Sequence, residues 1–105
     1  RSDCPACLAD ASIFNEQAME HPSLGFVGIA VDERTNALRF LKRNPPTHLQ
    51  LYAPMSQAQV LHRAGNHSAG LPYTVVLNSK HTICARKLGK AGIGWLEAAI
   101  ARCGT

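Results

Sequence analysis

The chain has 105 residues, of which 46% are hydrophobic and 17% are charged. This length suits one domain over residues 1–105 and excludes two domains of ordinary size, and the apolar content argues against a disordered chain. The longest apolar run, residues 24–31, is far shorter than the ~18 residues that span a bilayer. The net charge is +4, but the basic residues are dispersed and do not alternate with aromatic residues, so no nucleic-acid partner is indicated.

The pattern of apolar and turn residues predicts an alternation of helices and strands. The first helix is predicted to begin at Pro5, where proline's missing amide hydrogen costs nothing, and to end near His21. The apolar run over 25–31 predicts a strand buried on both faces, as in parallel sheets. Asp32 is predicted to cap a second helix, which ends at Asn44. The rest of the chain predicts a short strand over 49–52, a helix from Ser56 to Gly65, strands over 73–77 and 82–88, and a last helix around 95–100. This order indicates an α/β fold with a mixed central sheet flanked by helices.

Two cysteines, Cys4 and Cys7, flank Pro5 and Ala6 at the start of the first predicted helix, and we expect Pro5 and Ala6 to shape the site. Their spacing places both sulfur atoms on one side of the first turn, where unpaired amides and the positive end of the helix dipole stabilise a thiolate. Such a setting lowers the pKa of a cysteine below its free value of about 8.5. The pattern predicts a redox-active dithiol in which Cys4 attacks a disulfide and Cys7 resolves the mixed disulfide.

The same spacing is that of half a zinc site, but zinc would need two further ligands with similar pairing. Cys84 lies in a predicted strand, Cys103 lies at the end of the last predicted helix, and the five histidines are scattered. We therefore expect no metal. Cys84 and Cys103 would form a structural disulfide only if their Cα atoms fell within ~7 Å, and otherwise they are small hydrophobic residues.

A second motif, Leu71-Pro72-Tyr73, leads into the predicted strand over 73–77. Proline is confined to the first position or the edge of a strand, so a simple loop-to-strand boundary is one interpretation. The functional interpretation is a cis bond before Pro72, which costs only about 0.5–1 kcal/mol and which the presence of the dithiol motif in the same chain favours. It would expose the Leu71 backbone to an extended substrate. Tyr73 could line the substrate groove or serve only in packing.

Four motifs occur in order along nearly the whole chain. They are Cys4-Pro5-Ala6-Cys7-x-x-Asp10, Val27-Gly28-Ile29-Ala30-Val31-Asp32, Leu61-x-x-x-Gly65-Asn66 and Gly70-Leu71-Pro72-Tyr73-Thr74-Val75-Val76-Leu77. Together they resemble the TlpA-like branch of the thioredoxin superfamily. The resemblance implies a thioredoxin-like fold with Cys4 as the attacking thiol, Cys7 as the resolving thiol and Pro72 as the cis-proline. It also implies that Asp10 tunes the dithiol.

The resemblance implies a periplasmic protein that reduces disulfides in partner proteins, for instance during cytochrome c or oxidase assembly. Its partners would be protein dithiols or disulfides and an upstream electron donor. It would need no cofactor beyond the Cys4–Cys7 disulfide. Any membrane attachment would be through an upstream anchor that is absent from this chain.

The chain departs from the family pattern at its start. TlpA-like proteins usually have tryptophan before the first cysteine, where this chain has Asp3, and a carboxylate there would oppose thiolate formation at Cys4. A thioredoxin-like fold also requires a central strand directly before the dithiol, yet only residues 1–3 precede it. We therefore expect that upstream residues lie outside this sequence or that another segment fills that position.

Two other classes of function remain as alternatives. A peroxiredoxin-type peroxidase would place its reactive cysteine in a Thr-x-x-Cys setting, and Arg1 occupies the threonine position here, so the fit is poor. A non-enzymatic module would either bind Cu(I) through Cys4 and Cys7 or be redox-inactive. For an oxidoreductase, the direction of electron flow depends on the reduction potential, which spans about 150 mV among relatives.

Overall fold

The computed structural model describes residues 1–54 and 59–104. Within these residues, four helices and four strands follow one another in the predicted order. They are α1 (Pro5–Glu20), β1 (Val27–Val31), α2 (Arg34–Arg43), β2 (Leu49–Ala53), α3 (Gln59–Arg63), β3 (Tyr73–Leu77), β4 (Ile83–Leu88) and α4 (Gly92–Cys103). The predicted cap Ser56 lies outside the described residues. No helix in the described ranges is both long enough and apolar enough to cross a membrane.

The ends of the helices follow the local sequence. Pro5 is the first helical residue of α1, and the chain leaves that helix at His21, directly before Pro22. Asn44 ends α2, as predicted, but the N-cap of α2 is Glu33 and not Asp32. The Asp32 carboxylate instead accepts hydrogen bonds from the backbone amides of Ser2 and Glu33, each at 2.7 Å. It therefore fixes the segment that leads into Cys4.

The strands form two pairs. β1 and β2 are parallel, with Val27 opposite Leu49, and β3 and β4 are antiparallel, with Tyr73 opposite Leu88. Within the described residues these pairs are two separate two-stranded sheets. The α/β class and both kinds of pairing agree with the sequence analysis. No strand bridges β1 and β3 in the described ranges, so the single mixed sheet expected from the sequence is divided in two here.

A cleft of about 620 Å³ lies between the two sheets. Every residue of β1 and of β3 lines it, whereas β2 contributes only Gln50 and no residue of β4 lines it. The unpaired edges of β1 and β3 therefore face the same space. We call this space the central cleft.

The prediction that β1 is buried on both faces was wrong. Val27 is 53% exposed and Ile29 is 50% exposed, and their register partners Leu49 and Leu51 are exposed as well. One face of the β1–β2 sheet thus presents a patch of four large apolar side chains. The sequence pattern recorded the apolar character of β1 correctly, but burial depends on what packs against each face.

The other sheet packs against α4 around a small buried cluster. Ala85, Ala99 and Cys103 form that cluster, and the half-buried Trp95 packs against it. A disulfide between Cys84 and Cys103 joins β4 to the end of α4, with the two Cα atoms 5.9 Å apart. Of the two possibilities that the sequence left open for this pair, the structure shows the structural disulfide.

His48 borders the central cleft and gives the fold a pH dependence. Its Nδ1 is buried without a hydrogen-bond partner among the described residues, and its ring lies edge-on to Phe26, with centroids 6.0 Å apart. Burial lowers the pKa of His48 below its usual value. The unfolded chain then binds the proton more readily than the folded chain does, so stability falls as the pH decreases below about 6.5.

We therefore expect the free energy of unfolding, measured by urea denaturation, to decrease between pH 7 and pH 5. The His48→Phe variant should lose part of this decrease, because phenylalanine fills the site without accepting a proton. The matched control is His81→Asn, which changes an exposed histidine in a turn and should keep the wild-type pH profile. An unchanged pH profile in His48→Phe would show that this histidine is not the group responsible.

Candidate active site

The dithiol lies at the first turn of α1. Cys4 is the N-cap residue of this 16-residue helix, and its Sγ accepts a hydrogen bond from the Cys7 amide at 3.1 Å. Cys4 and Cys7 are joined as a disulfide and are half-buried, whereas Pro5 between them is exposed. The Cys7 amide and the positive end of the helix dipole both face the Cys4 sulfur, so negative charge on that sulfur would be stabilised.

The second motif meets the first at this point. The peptide bond between Leu71 and Pro72 is cis, and the Leu71 carbonyl oxygen lies 3.9 Å from Cys4 Sγ. Pro72 is held in turn, because its carbonyl accepts a hydrogen bond from the Gly89 amide at 2.9 Å. The structure thus brings together Cys4 and Leu71, which lie 67 residues apart in the sequence.

The charge of Asp3 is compensated by its neighbour. The guanidinium of Arg1 donates through Nε and Nη2 to the two Asp3 carboxylate oxygens, at 3.0 and 3.1 Å. These hydrogen bonds lower the pKa of Asp3, so it is ionised at neutral pH. The paired carboxylate opposes a thiolate at Cys4 less than an isolated one would, which weakens the effect that the sequence suggested.

Asp10 has a structural contact that the sequence did not predict. Its side chain is only 4% exposed, and its carboxylate oxygens accept hydrogen bonds from the amides of Ala91 at 2.8 Å and Gly92 at 3.2 Å. These are the amides of the N-cap and the first residue of α4, where negative charge is favourable. Asp10 therefore ties α1 to α4, one helical turn beyond Cys7. Its tuning of the dithiol stays a prediction.

Tyr73 has the packing role that the sequence left open. It is the first residue of β3, and its hydroxyl donates to the Ala64 carbonyl at 2.7 Å, just beyond α3. Its ring also borders the central cleft. Because the hydroxyl is already bonded within the fold, Tyr73 holds the loop that precedes Pro72. Substrate contact by Tyr73 and the site-shaping role of Pro5 and Ala6 stay predictions.

Asn66 is a site residue that the sequence did not reveal, although it belongs to one of the four motifs. Asn66 is buried, and its Nδ2 donates to the Gly70 carbonyl at 2.7 Å. It follows Gly65, whose φ of +97° ends α3 with a left-handed turn. An asparagine placed between a helix-ending glycine and a Gly-x-Pro segment was the sequence signal that could have identified it.

Metal ligands do not gather at the dithiol or elsewhere in the described part of the chain. No group of three or more histidine, cysteine, aspartate or glutamate side chains is placed there to hold a metal ion. His62 and His67 lie near each other, with ring centroids 4.3 Å apart, but they form only a pair. A structural zinc site needs four ligands, so this geometry offers no such site.

Comparison with known proteins gives matches of structure only. No protein-family model and no curated protein matches the chain. A solved structure from Chlorobium tepidum, described as a thiol:disulfide interchange protein DsbE, superposes with a TM-score of 0.81 at 18% identity, covering 97% of this chain and 73% of that one. A solution structure from Neisseria meningitidis, described as a thioredoxin, gives a TM-score of 0.73 at 17% identity, covering 98% of this chain and 69% of that one.

Both matches extend over almost all of the chain, so the likeness is not restricted to the dithiol turn. At this level of identity they establish the fold and leave the activity to be argued from the site. The chain has a thioredoxin-like fold, with a Cys-x-x-Cys disulfide at the start of α1 and a cis-proline loop facing it.

Proposed function

We propose that this protein is a thiol-disulfide oxidoreductase that exchanges disulfides with partner proteins through Cys4 and Cys7. The observation that carries the proposal is the position of Cys4. Its sulfur lies at the N-cap of α1, accepts the Cys7 amide, and stands 3.9 Å from the Leu71 carbonyl. The Cys4 sulfur thus lies where a thiolate is stabilised, next to the resolving thiol of Cys7, and beside a backbone carbonyl that can accept a hydrogen bond from a substrate.

The chemistry starts from the reduced dithiol. The Cys4 thiolate attacks one sulfur of a substrate disulfide, which forms a mixed disulfide and releases the other substrate sulfur as a thiolate. Cys7, one turn along α1, then attacks Cys4 Sγ, which forms the Cys4–Cys7 disulfide and releases the second substrate sulfur. Two electrons pass to the substrate, and each released thiolate takes up a proton from water.

The backbone at Leu71 supplies the means of holding a substrate. Its carbonyl lies beside Cys4 and belongs to the loop just before β3. An extended peptide could donate an amide hydrogen to this oxygen, and such main-chain bonds give affinity without requiring a particular substrate sequence. This arrangement suits a protein disulfide as the substrate.

The proposed direction and location follow from the resemblance to TlpA-like proteins. We propose that the protein reduces its partners in the bacterial periplasm, in a pathway of the cytochrome c or oxidase maturation type. An upstream dithiol protein would restore its electrons. The Cys84–Cys103 disulfide supports an oxidising compartment, because structural disulfides persist there and are rare in the cytosol. The solved neighbour described as DsbE supports the same class of activity.

The reduction potential of the Cys4–Cys7 pair tests the proposed direction. Equilibration with glutathione buffers, followed by thiol alkylation and mass spectrometry, should give a value nearer the reducing limit of about −270 mV than the oxidising limit of about −120 mV. Mapping the alkylated peptides distinguishes Cys4 and Cys7 from Cys84 and Cys103. A potential near the oxidising limit would contradict the role of a reductase while leaving disulfide exchange intact.

A further inference from the structure

The loop over residues 64–72 carries the Leu71 carbonyl, and a buried amide spans this loop. Asn66 is only 4% exposed. Its Nδ2 donates to the Gly70 carbonyl at 2.7 Å, and its Oδ1 accepts a hydrogen bond from the Ser68 hydroxyl at 3.2 Å. The Ser68 oxygen also accepts the Gly70 amide at 3.4 Å. One side chain therefore crosses the loop and ends on the residue directly before Leu71.

Backbone hydrogen bonds hold the two ends of this loop. The Asn66 amide donates to the Leu61 carbonyl at 2.9 Å, and the Gly89 amide donates to the Pro72 carbonyl at 2.9 Å. Between these ends Ala69 has a φ of 59°, a left-handed conformation that is unfavourable for a residue with a Cβ atom. The middle of the loop therefore needs a tie to keep its shape, and the Asn66–Gly70 hydrogen bond supplies it.

We propose that Asn66 is a positioning residue, which sets the place of the Leu71 carbonyl beside Cys4 and so the docking of an extended protein substrate. This inference rests on the disulfide exchange proposed above. Asn66 acts through the loop and does not touch the reacting sulfur atoms. Its loss should therefore weaken the binding of a protein disulfide and leave the intrinsic reactivity of the Cys4 thiol as it was.

The test compares Asn66→Ala and Asn66→Asp with the wild-type chain in reduction of a protein disulfide such as insulin. The aspartate keeps the shape of the side chain but replaces the donor with an oxygen that repels the Gly70 carbonyl. Losing one buried hydrogen bond of this kind should raise KM by roughly fivefold to tenfold, with kcat changed by no more than about twofold. Alkylation of reduced Cys4 by iodoacetamide should keep the wild-type rate.

A second asparagine provides a matched control. Asn78 lies in the turn between β3 and β4, where its Oδ1 accepts the amides of Lys80 at 2.9 Å and Thr82 at 3.1 Å. Asn78→Ala removes comparable loop hydrogen bonds away from the dithiol and should leave KM unchanged. Ser68→Ala removes one partner of Asn66 at an exposed position, and it should raise KM less, in the same direction. This milder variant keeps the test decisive should Asn66→Ala fail to fold.

The outcomes separate cleanly. A raised KM in the Asn66 and Ser68 variants, with wild-type alkylation and an unaffected Asn78→Ala control, supports the inference. An active wild-type chain whose KM is insensitive to both Asn66 substitutions overturns it. An equal rise in Asn78→Ala also overturns it, because the effect would then be a general loosening of loops. A wild-type chain without turnover overturns the proposed function, and this inference with it.

Discussion

Replacing Cys4 by serine should reduce protein disulfide reduction to the uncatalysed rate, whereas replacing Cys7 by serine should trap the substrate. Without the Cys4 sulfur no mixed disulfide forms, and a serine hydroxyl at the N-cap is not a nucleophile toward disulfides at neutral pH. With Cys7 removed, Cys4 still attacks, but the intermediate has no resolving thiol. The Cys7→Ser chain should therefore accumulate as a covalent one-to-one complex with the substrate. Non-reducing electrophoresis should show this complex, and dithiothreitol should separate it into its two chains by reducing the mixed disulfide.

The fold should survive both substitutions, because serine is itself a favoured N-cap residue and Cys7 is only half-buried. The circular dichroism spectrum of each variant provides that control. If Cys7→Ser formed no complex while Cys4→Ser did, the roles of the two cysteines would be exchanged. If both variants kept wild-type turnover, disulfide exchange through this pair would be excluded, and a redox-inactive or Cu(I)-binding role would gain support.

The largest expected effect on stability comes from the other disulfide. Cys84 and Cys103 are 19 residues apart in the sequence, and a cross-link closing a loop of that size restricts the unfolded chain. The chain-entropy relation gives a contribution of about 3 kcal/mol for such a loop. We expect the double variant Cys84→Ala/Cys103→Ala to lose about this much in free energy of unfolding. For a chain of this size, that loss corresponds to a decrease in melting temperature of roughly 10–20 °C.

We expect the Cys4–Cys7 pair to be needed for activity and the Cys84–Cys103 disulfide to be needed mainly for stability. Breaking Cys4–Cys7, which closes a loop of separation 3, removes roughly half as much stabilisation by the same relation and should lower the unfolding midpoint about half as far. The folded fraction of Cys84→Ala/Cys103→Ala should turn over substrate at the wild-type rate, measured well below its melting temperature. A double variant as stable as wild type would show that the buried packing around Cys103, and not the cross-link, holds α4.

Local chemistry explains what the sequence could predict. The start of α1 could be assigned because Pro5 and a helix N-terminus have strong local requirements, and the dithiol motif follows from the same few residues. The β3–β4 hairpin and the end of α3 at Gly65 could be assigned for similar reasons. Each of these features depends on residues within one or two turns of one another.

Features that depend on distant residues could not be assigned. Asp10 resembles a redox-tuning acid in sequence, but its carboxylate accepts hydrogen bonds from backbone amides that lie 81 and 82 residues further along the chain. The Cys84–Cys103 disulfide could be predicted only from the distance between the two Cα atoms, and their positions in the sequence do not give that distance. The exposure of Val27 and Ile29 depends on whether another element covers that face of the sheet, and the residues of the strand alone cannot predict this.

The two sides of the central cleft differ in how strongly they are held together. On one side, β3, β4 and α4 share the buried cluster and the Cys84–Cys103 disulfide, whereas on the other side the β1–β2 sheet exposes large apolar side chains. Local opening should therefore begin in the β1–β2 sheet. The dithiol helix is joined to α4 through Asp10, and Leu71 lies directly ahead of β3. Both halves of the exchange site are thus tied to the more resistant unit, and we expect them to stay together while the β1–β2 sheet opens and closes. Asp32, which follows β1, also holds the segment before Cys4, so that segment should loosen when the sheet opens.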